Sequence, residues 1–186
     1  MRAWTFVFAT LTALLCVAVA FVVRENQRLH GQISRLVRAG ARAAGLDVGD
    51  VLAPFTLRDG TGHEVAFDFA GDELGTVLLF HASSCDACTA SRIHWRQALE
   101  RAARPDVRVL CIQTDVVDSA PLALEGLPAS LAVPLPPEGW LAALPAVPAT
   151  LVVDEHGRVT HAWYRALDAG MADELAAAVA SLGSGG

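Results

Sequence analysis

Residues 76–95, TVLLFHASSCDACTASRIHW, constrain the fold more than any other stretch of this chain. Val77, Leu78, Leu79 and Phe80 form an unbroken apolar run of strand length. His81, Ala82, Ser83 and Ser84 lead away from that strand, and Cys85 and Cys88 open a segment of helical composition, residues 87–103. A spacing of three residues puts both sulfurs on the same side of one turn. The N–H groups of a first helical turn have no intrahelical acceptor and carry a partial positive charge, and both favour a thiolate. The thiolate is the nucleophile of disulfide exchange. The stretch therefore predicts a strand, a loop and a helix that present one activated thiol, with a second thiol close enough to displace it.

The 186 residues suit one domain of about 130–150 residues plus an extension. The extension is N-terminal. Residues 3–23 carry no charge and are almost wholly apolar, long enough to cross a bilayer as one helix. A cleaved signal peptide is the competing reading, with Arg2 as a short basic region and Ala18-Val19-Ala20 as a small-x-small site. The apolar run continues through Phe21, Val22 and Val23, so residues 1–23 are expected to stay as a transmembrane signal anchor. Cys16 follows Leu15, where a lipoprotein signal requires a small residue, and reads as an apolar filler.

Charge is unevenly spread. Residues 1–45 hold six Arg and one Glu, whereas residues 46–186 hold eight Arg against nineteen acids. The acidic part argues against a nucleic-acid platform, which needs a basic face. Residues 24–45 read as a basic juxtamembrane helix or linker. Leu29, Ile33, Leu36 and Val37 make one apolar stripe, and Gly45 ends the segment. A helix lying on anionic lipid, a short dimerising helix and a plain spacer all fit it. Arg24, Arg28, Arg35 and Arg38 follow the apolar segment and only Arg2 precedes it, so the positive-inside count favours a cytoplasmic C-terminal domain.

The globular part is expected to span residues 46–182, with a flexible tail at 183–186. Phe55-Thr56-Leu57 and Val65-Ala66-Phe67 around Asp59-Gly60 read as a hairpin. Pro105 and Asp106 end the cysteine-bearing helix, and residues 107–114 form a second core strand. A helix between these two core strands makes them parallel neighbours with a right-handed crossover. Residues 119–126 suit a short helix, and a short strand is expected near Ala132 and Val133. Leu151-Val152-Val153-Asp154, the turn at Gly157 and residues 159–164 make a second hairpin. Asp168 or a neighbour caps a last helix over residues 170–182, and residues from Ser181 onward read as loose.

This order, an α/β mixed sheet with a cysteine pair after the first core strand, resembles the thioredoxin fold. More narrowly it resembles the membrane-anchored TlpA-like and ResA-like thiol–disulfide oxidoreductases of bacteria. The resemblance covers residues 46–182. It is carried by Val48-Gly49-Asp50, Pro54-Phe55-Thr56-Leu57, Cys85-Asp86-Ala87-Cys88 and Val147-Pro148-Ala149-Thr150. It implies that Cys85 is the attacking thiol, Cys88 the resolving thiol and the two together a redox disulfide. Pro148 would be a cis proline across from the pair, with Val147 and Thr150 on the substrate-binding segment. It also implies substrate protein thiols or disulfides as partners, apocytochrome c first among them. A membrane redox relay would be the electron donor, and no cofactor is expected. The implied location is the extracytoplasmic face of the cytoplasmic (inner) membrane, against the arginine count; that side is the expectation carried forward.

The chain departs from the family at several positions. His81 and Ser84 stand where relatives often carry Trp, and Asp86-Ala87 separates the cysteines where small or proline-containing pairs are usual. Leu79 occupies the position of the buried Asp of thioredoxins, and Ser91 that of the Glu of ResA-like proteins. His81, with an ordinary pKa of about 6.5, suits the vacated proton-transfer role; simple packing at the strand end is the alternative. Two other functions compete. Cys85 and Cys88 with His81 or His94 could hold copper or zinc, but no second C-x-x-C completes a four-ligand set. A peroxiredoxin-type peroxidase wants Thr or Ser three residues before the reactive cysteine, where this chain has Ala82. Cys111 reads as a buried structural thiol, Trp95 as packing, His94 as exposed, and His156 and His161 as without a role.

Overall fold

The computed structural model describes residues 46–69, 74–115, 124–134 and 137–183, together with Val19. Apart from Val19 these belong to one compact unit, Ala44–Gly186. Among the described residues no helix is long and apolar enough to cross a membrane. The expected anchor at residues 1–23 and the juxtamembrane helix at residues 24–45 lie outside them, apart from Val19.

Among the described residues, seven strands form one mixed sheet. They are β1 (Phe55–Arg58), β2 (Glu64–Phe67), β3 (Gly75–His81), β4 (Arg108–Gln113), β5 (Ser130–Ala132), β6 (Ala149–Asp154) and β7 (Val159–Trp163), in the order β2-β1-β5-β4-β3-β6-β7. β4 runs parallel to both β3 and β5, and the other pairings are antiparallel. Every residue of β3 is buried, which explains its unbroken apolar run: a central strand covered on both faces has no side to leave polar. Gly75 opens it because a Cβ there would lie 2.6 Å from the Val153 carbonyl oxygen of β6.

Two helices, α1 (Asp86–Ala102) and α2 (Ala169–Ser181), pack on one face. Trp95 and Ala98 of α1 and Leu175 and Val179 of α2 share a cluster with Val77, Leu79, Cys111 and Val152. Arg101 of α1 is paired with Asp173 of α2. The opposite face buries Leu78, Phe80, Ile112 and Leu151 beneath Phe55, Phe67 and the 3-10 helix Gly139–Ala143. Trp140 stands edge-on to Phe55 and Phe80 there.

Both expected hairpins, the parallel β3–β4 pair, the short strand at 130–132 and the Asp168 cap are present; the Asp168 carboxylate accepts from the Met171 N–H at 3.0 Å. Three expectations change. The described part of the helix expected at 119–126 is a turn closed by the Leu127 N–H on the Leu124 carbonyl. His81 does not leave β3 but ends it, because it still pairs with Gln113 of β4, and Thr114 just past that strand donates its N–H to the His81 carbonyl at 2.9 Å. Ser181 and Leu182 are not loose: Ser181 completes α2, and the Arg104 guanidinium donates to the Ala180 and Leu182 carbonyls at 2.8 and 3.1 Å.

Candidate active site

The cysteine pair sits where parallel-strand geometry delivers it. β3 and β4 end at the same edge of the sheet, and the chain leaving β3 needs only Ala82, Ser83 and Ser84 to reach Cys85. Cys85 is the N-cap of α1, with extended backbone, and its sulfur accepts the Cys88 N–H at 3.0 Å. It thus takes the place an Asp or Ser oxygen usually fills, sharing the Cys88 N–H with the Cys85 carbonyl, which also accepts it at 3.0 Å. Cys85 and Cys88 are joined as a disulfide. Their exposures differ: Cys85 is partly exposed and Cys88 is 2% exposed.

The Val147–Pro148 bond is cis. β6 starts at Ala149 opposite Phe80, so this bond lies one step past the pairing, level with His81 at the sheet edge from which Cys85 departs. Val147 is half-buried and Pro148 buried. Val147 also lines an apolar cleft of about 270 Å³ with Thr114, Val133, Leu141 and Leu144. A larger cleft of about 500 Å³ lies among Phe55, Thr56, Arg58 and Trp140, and neither cysteine lines it.

Thr150 requires a correction. Its side chain is fully buried, and its hydroxyl accepts the Trp95 indole N–H at 2.8 Å. Strand alternation turns it inward with Leu79, its cross-strand partner, so the side chain serves the core rather than a substrate. The vacated acid positions are apolar or committed: Leu79 is core, and the buried Ser91 hydroxyl donates to the Ala87 carbonyl at 2.9 Å and accepts from the Leu167 N–H at 3.1 Å.

His81 is fully buried on the α1 face of the sheet. Its Nε2 lies 3.3 Å from the Ser130 hydroxyl, and its Nδ1 has no hydrogen-bond partner. Burial pushes its pKa down, against the pull of the Asp115 charge, and so favours the neutral ring. Cys111 is buried and free, its thiol pushed up to about 12 by desolvation, as suits a structural residue. His94 is half-buried rather than exposed, with an unpartnered Nδ1. Among the described residues no three His, Cys, Asp or Glu side chains gather in a way that could hold a metal ion.

The residue that sequence reading missed is Asp115. Its carboxylate accepts the Ser83 N–H at 2.7 and 2.9 Å and the Ser83 hydroxyl as well. Thirty-two residues separate the two, and only the pairing of β3 with β4 brings them together.

No family model and no curated protein matches the chain. Solved structures do. A protein assigned as the thiol:disulfide interchange protein DsbE from Chlorobium tepidum is 21% identical, with a TM-score of 0.57 over 75% of this chain and 100% of that one. Peroxidoxin BcpB from Mycobacterium tuberculosis is 19% identical, with a TM-score of 0.54 over 74% and 98%. A protein assigned as a disulfide isomerase from Bacteroides thetaiotaomicron is 18% identical, with a TM-score of 0.53 over 74% and 91%. The fold is thioredoxin-like, and the Cys85–Cys88 pair stands at its first helix.

Proposed function

We propose that this chain is a thiol–disulfide oxidoreductase that exchanges electrons with substrate-protein disulfides through Cys85 and Cys88. One observation carries the reading: the two cysteines are bonded across the first turn of an N-capped helix, with Cys85 partly exposed and Cys88 buried. In the reduced form the Cys85 thiolate attacks one sulfur of a substrate disulfide. A mixed disulfide forms, and the other substrate sulfur leaves as a thiolate. Cys88 then gives up its proton and attacks the Cys85 sulfur, releasing the second substrate thiolate. Two electrons have passed from the pair to the substrate, and the Cys85–Cys88 disulfide remains.

The remaining assignments belong to the same reading. His81 takes the Cys88 proton; its support is a neutral, buried ring with one unpartnered nitrogen on the face where α1 packs. The backbone at Val147, beside Pro148, aligns the substrate chain, and the adjoining apolar cleft receives one of its side chains. Residues 1–23 anchor the chain in the cytoplasmic membrane with the thioredoxin-like part on the extracytoplasmic side, where apocytochrome c thiols are one substrate and a membrane redox relay returns the electrons. The support is the uncharged run at residues 3–23 in front of a disulfide-bearing domain.

Thiol trapping of the full-length chain across glutathione and dithiothreitol buffers tests the reading. A single reversible two-electron transition assigned to Cys85 and Cys88 is expected. A potential below about −220 mV makes the pair a reductant, and one near −120 mV makes it a disulfide donor. Cys88→Ser should accumulate mixed disulfides on Cys85, and Cys85→Ser should form none. The absence of any reversible transition, or one restored only by a chelator, overturns the reading in favour of a metal site.

A further inference from the structure

The three residues between β3 and Cys85 carry the reactive sulfur, and their own internal support is slight: one turn bond, the Cys85 N–H on the Ala82 carbonyl at 3.3 Å. The rest comes from the end of β4. Thr114 donates its N–H and its hydroxyl to the His81 carbonyl at 2.9 and 3.2 Å, fixing the point where the loop begins. Asp115 takes the loop at its middle. Both carboxylate oxygens face the Ser83 N–H, and Oδ2 also accepts the Ser83 hydroxyl. Two residues after Ser83 the chain reaches the N-cap, where the Cys85 sulfur meets the Cys88 N–H.

A carboxylate accepting two donors from one residue is a strong, directional tie. The group is suited to hold it at neutral pH. Partial burial works to raise its pKa, and the hydrogen bonds it accepts from Ser83, from its own backbone and from Gln113 together outweigh that effect, leaving the carboxyl below the usual carboxylate range.

We propose that Asp115 is a positioning residue for the cysteine pair: by clamping Ser83 it holds Cys85 at the N-terminus of α1, where the helix stabilises the thiolate. This rests on the oxidoreductase reading for its biological meaning, though not for its measurement. It also makes a prediction opposite to the obvious alternative. If Asp115 acted on Cys85 only as a negative charge, its removal would favour the thiolate and speed reaction at neutral pH. If it acts by position, its removal frees the loop, the sulfur drifts from the helix terminus, and the thiolate is disfavoured.

The test is the alkylation rate of reduced Cys85 in the full-length chain at pH 7, with iodoacetamide, followed by peptide mass so that other thiols do not interfere. Asp115→Asn keeps the shape but replaces one acceptor oxygen with a donor facing the Ser83 N–H. Alkylation about three-fold slower than wild type is expected, with the apparent thiol pKa raised, in line with the modest worth of a helix terminus. Ser83→Ala removes the hydroxyl contact alone and leaves every formal charge in place. It should slow alkylation in the same direction by a smaller factor, and it carries the test should Asp115→Asn not fold, as judged by circular dichroism. Alkylation at the wild-type rate or faster in the folded variants overturns the proposal. Because the assay needs no protein substrate, wild-type protein that fails to exchange disulfides would sink the function while leaving the positioning result to stand or fall separately.

Discussion

Replacing Thr150 with Val separates a core role from a substrate-binding one. Thr150 and Trp95 are both fully buried and joined by a 2.8 Å hydrogen bond from the indole N–H to the hydroxyl. Valine has nearly the same shape, so no cavity opens; what changes is that the Trp95 N–H loses its acceptor where water cannot replace it. A buried donor left unpaired costs about 1–3 kcal/mol. The methyl group that replaces the hydroxyl returns about 0.8 kcal/mol of apolar burial. The net loss is about 0.2–2 kcal/mol, a fall in Tm of at most about 7 °C for a unit of this size. Trp95→Phe removes the donor, so adding Thr150→Val in that background should cost little more, and the double-mutant cycle should show a coupling of about 1–2 kcal/mol. Thermal and urea unfolding of the oxidised full-length chain give these numbers, and KM for a peptide disulfide gives the functional half. Thr150→Val should leave KM unchanged. An unchanged Tm with a raised KM would refute the argument and return Thr150 to the substrate-binding surface.

Other outcomes follow from buried groups. The pKa of His81 is lowered by desolvation, opposed by the Asp115 charge, so between that value and about 6.5 the unfolded chain binds more protons than the folded one. Stability is therefore full above about pH 6.5 and declines as pH falls toward the folded value, by at most about 1.4 kcal/mol per pH unit; His81→Gln should flatten this slope in urea titrations, and parallel slopes would count against a buried neutral ring. Cys111, with its thiol pushed up to about 12, should resist iodoacetamide at pH 8 until guanidinium unfolds the chain. Labelling of native protein at the rate of reduced Cys85 would contradict its burial. Ser91→Ala strips the acceptor from the Leu167 N–H and should cost about 1–3 kcal/mol in unfolding, whereas a neutral result would mean that water enters there.

Much of the architecture was legible because it is written in local patterns. The apolar run at 77–80 reads as a buried strand, and it is one, covered on both faces. The helix from Asp86 ends as its sequence indicates, with Ala103 in the left-handed conformation and Pro105 after it. The Asp-Gly and Gly157 turns close the two hairpins. The cysteine spacing at a helix start marks the candidate site in the sequence itself. The side-chain assignments fared unevenly for one reason: a residue's neighbours across a sheet are not its neighbours in sequence. Thr150 follows the Val-Pro-Ala segment, yet its hydroxyl points into the core because Ala149 and Thr150 pair with Phe80 and Leu79.

The sequence by itself determined most of the order of strands and helices and the place of the cysteine pair, since each depends on composition or spacing within a few residues. Only the tertiary structure decided which cysteine is buried, where His81 lies, and that the Asp115 carboxylate accepts from Ser83 in the loop before Cys85. Those facts depend on strand register. The alignment of β3 with β4 brings a carboxylate 32 residues away onto a serine N–H, and that alignment is set by the packing of the whole sheet rather than by any stretch of chain.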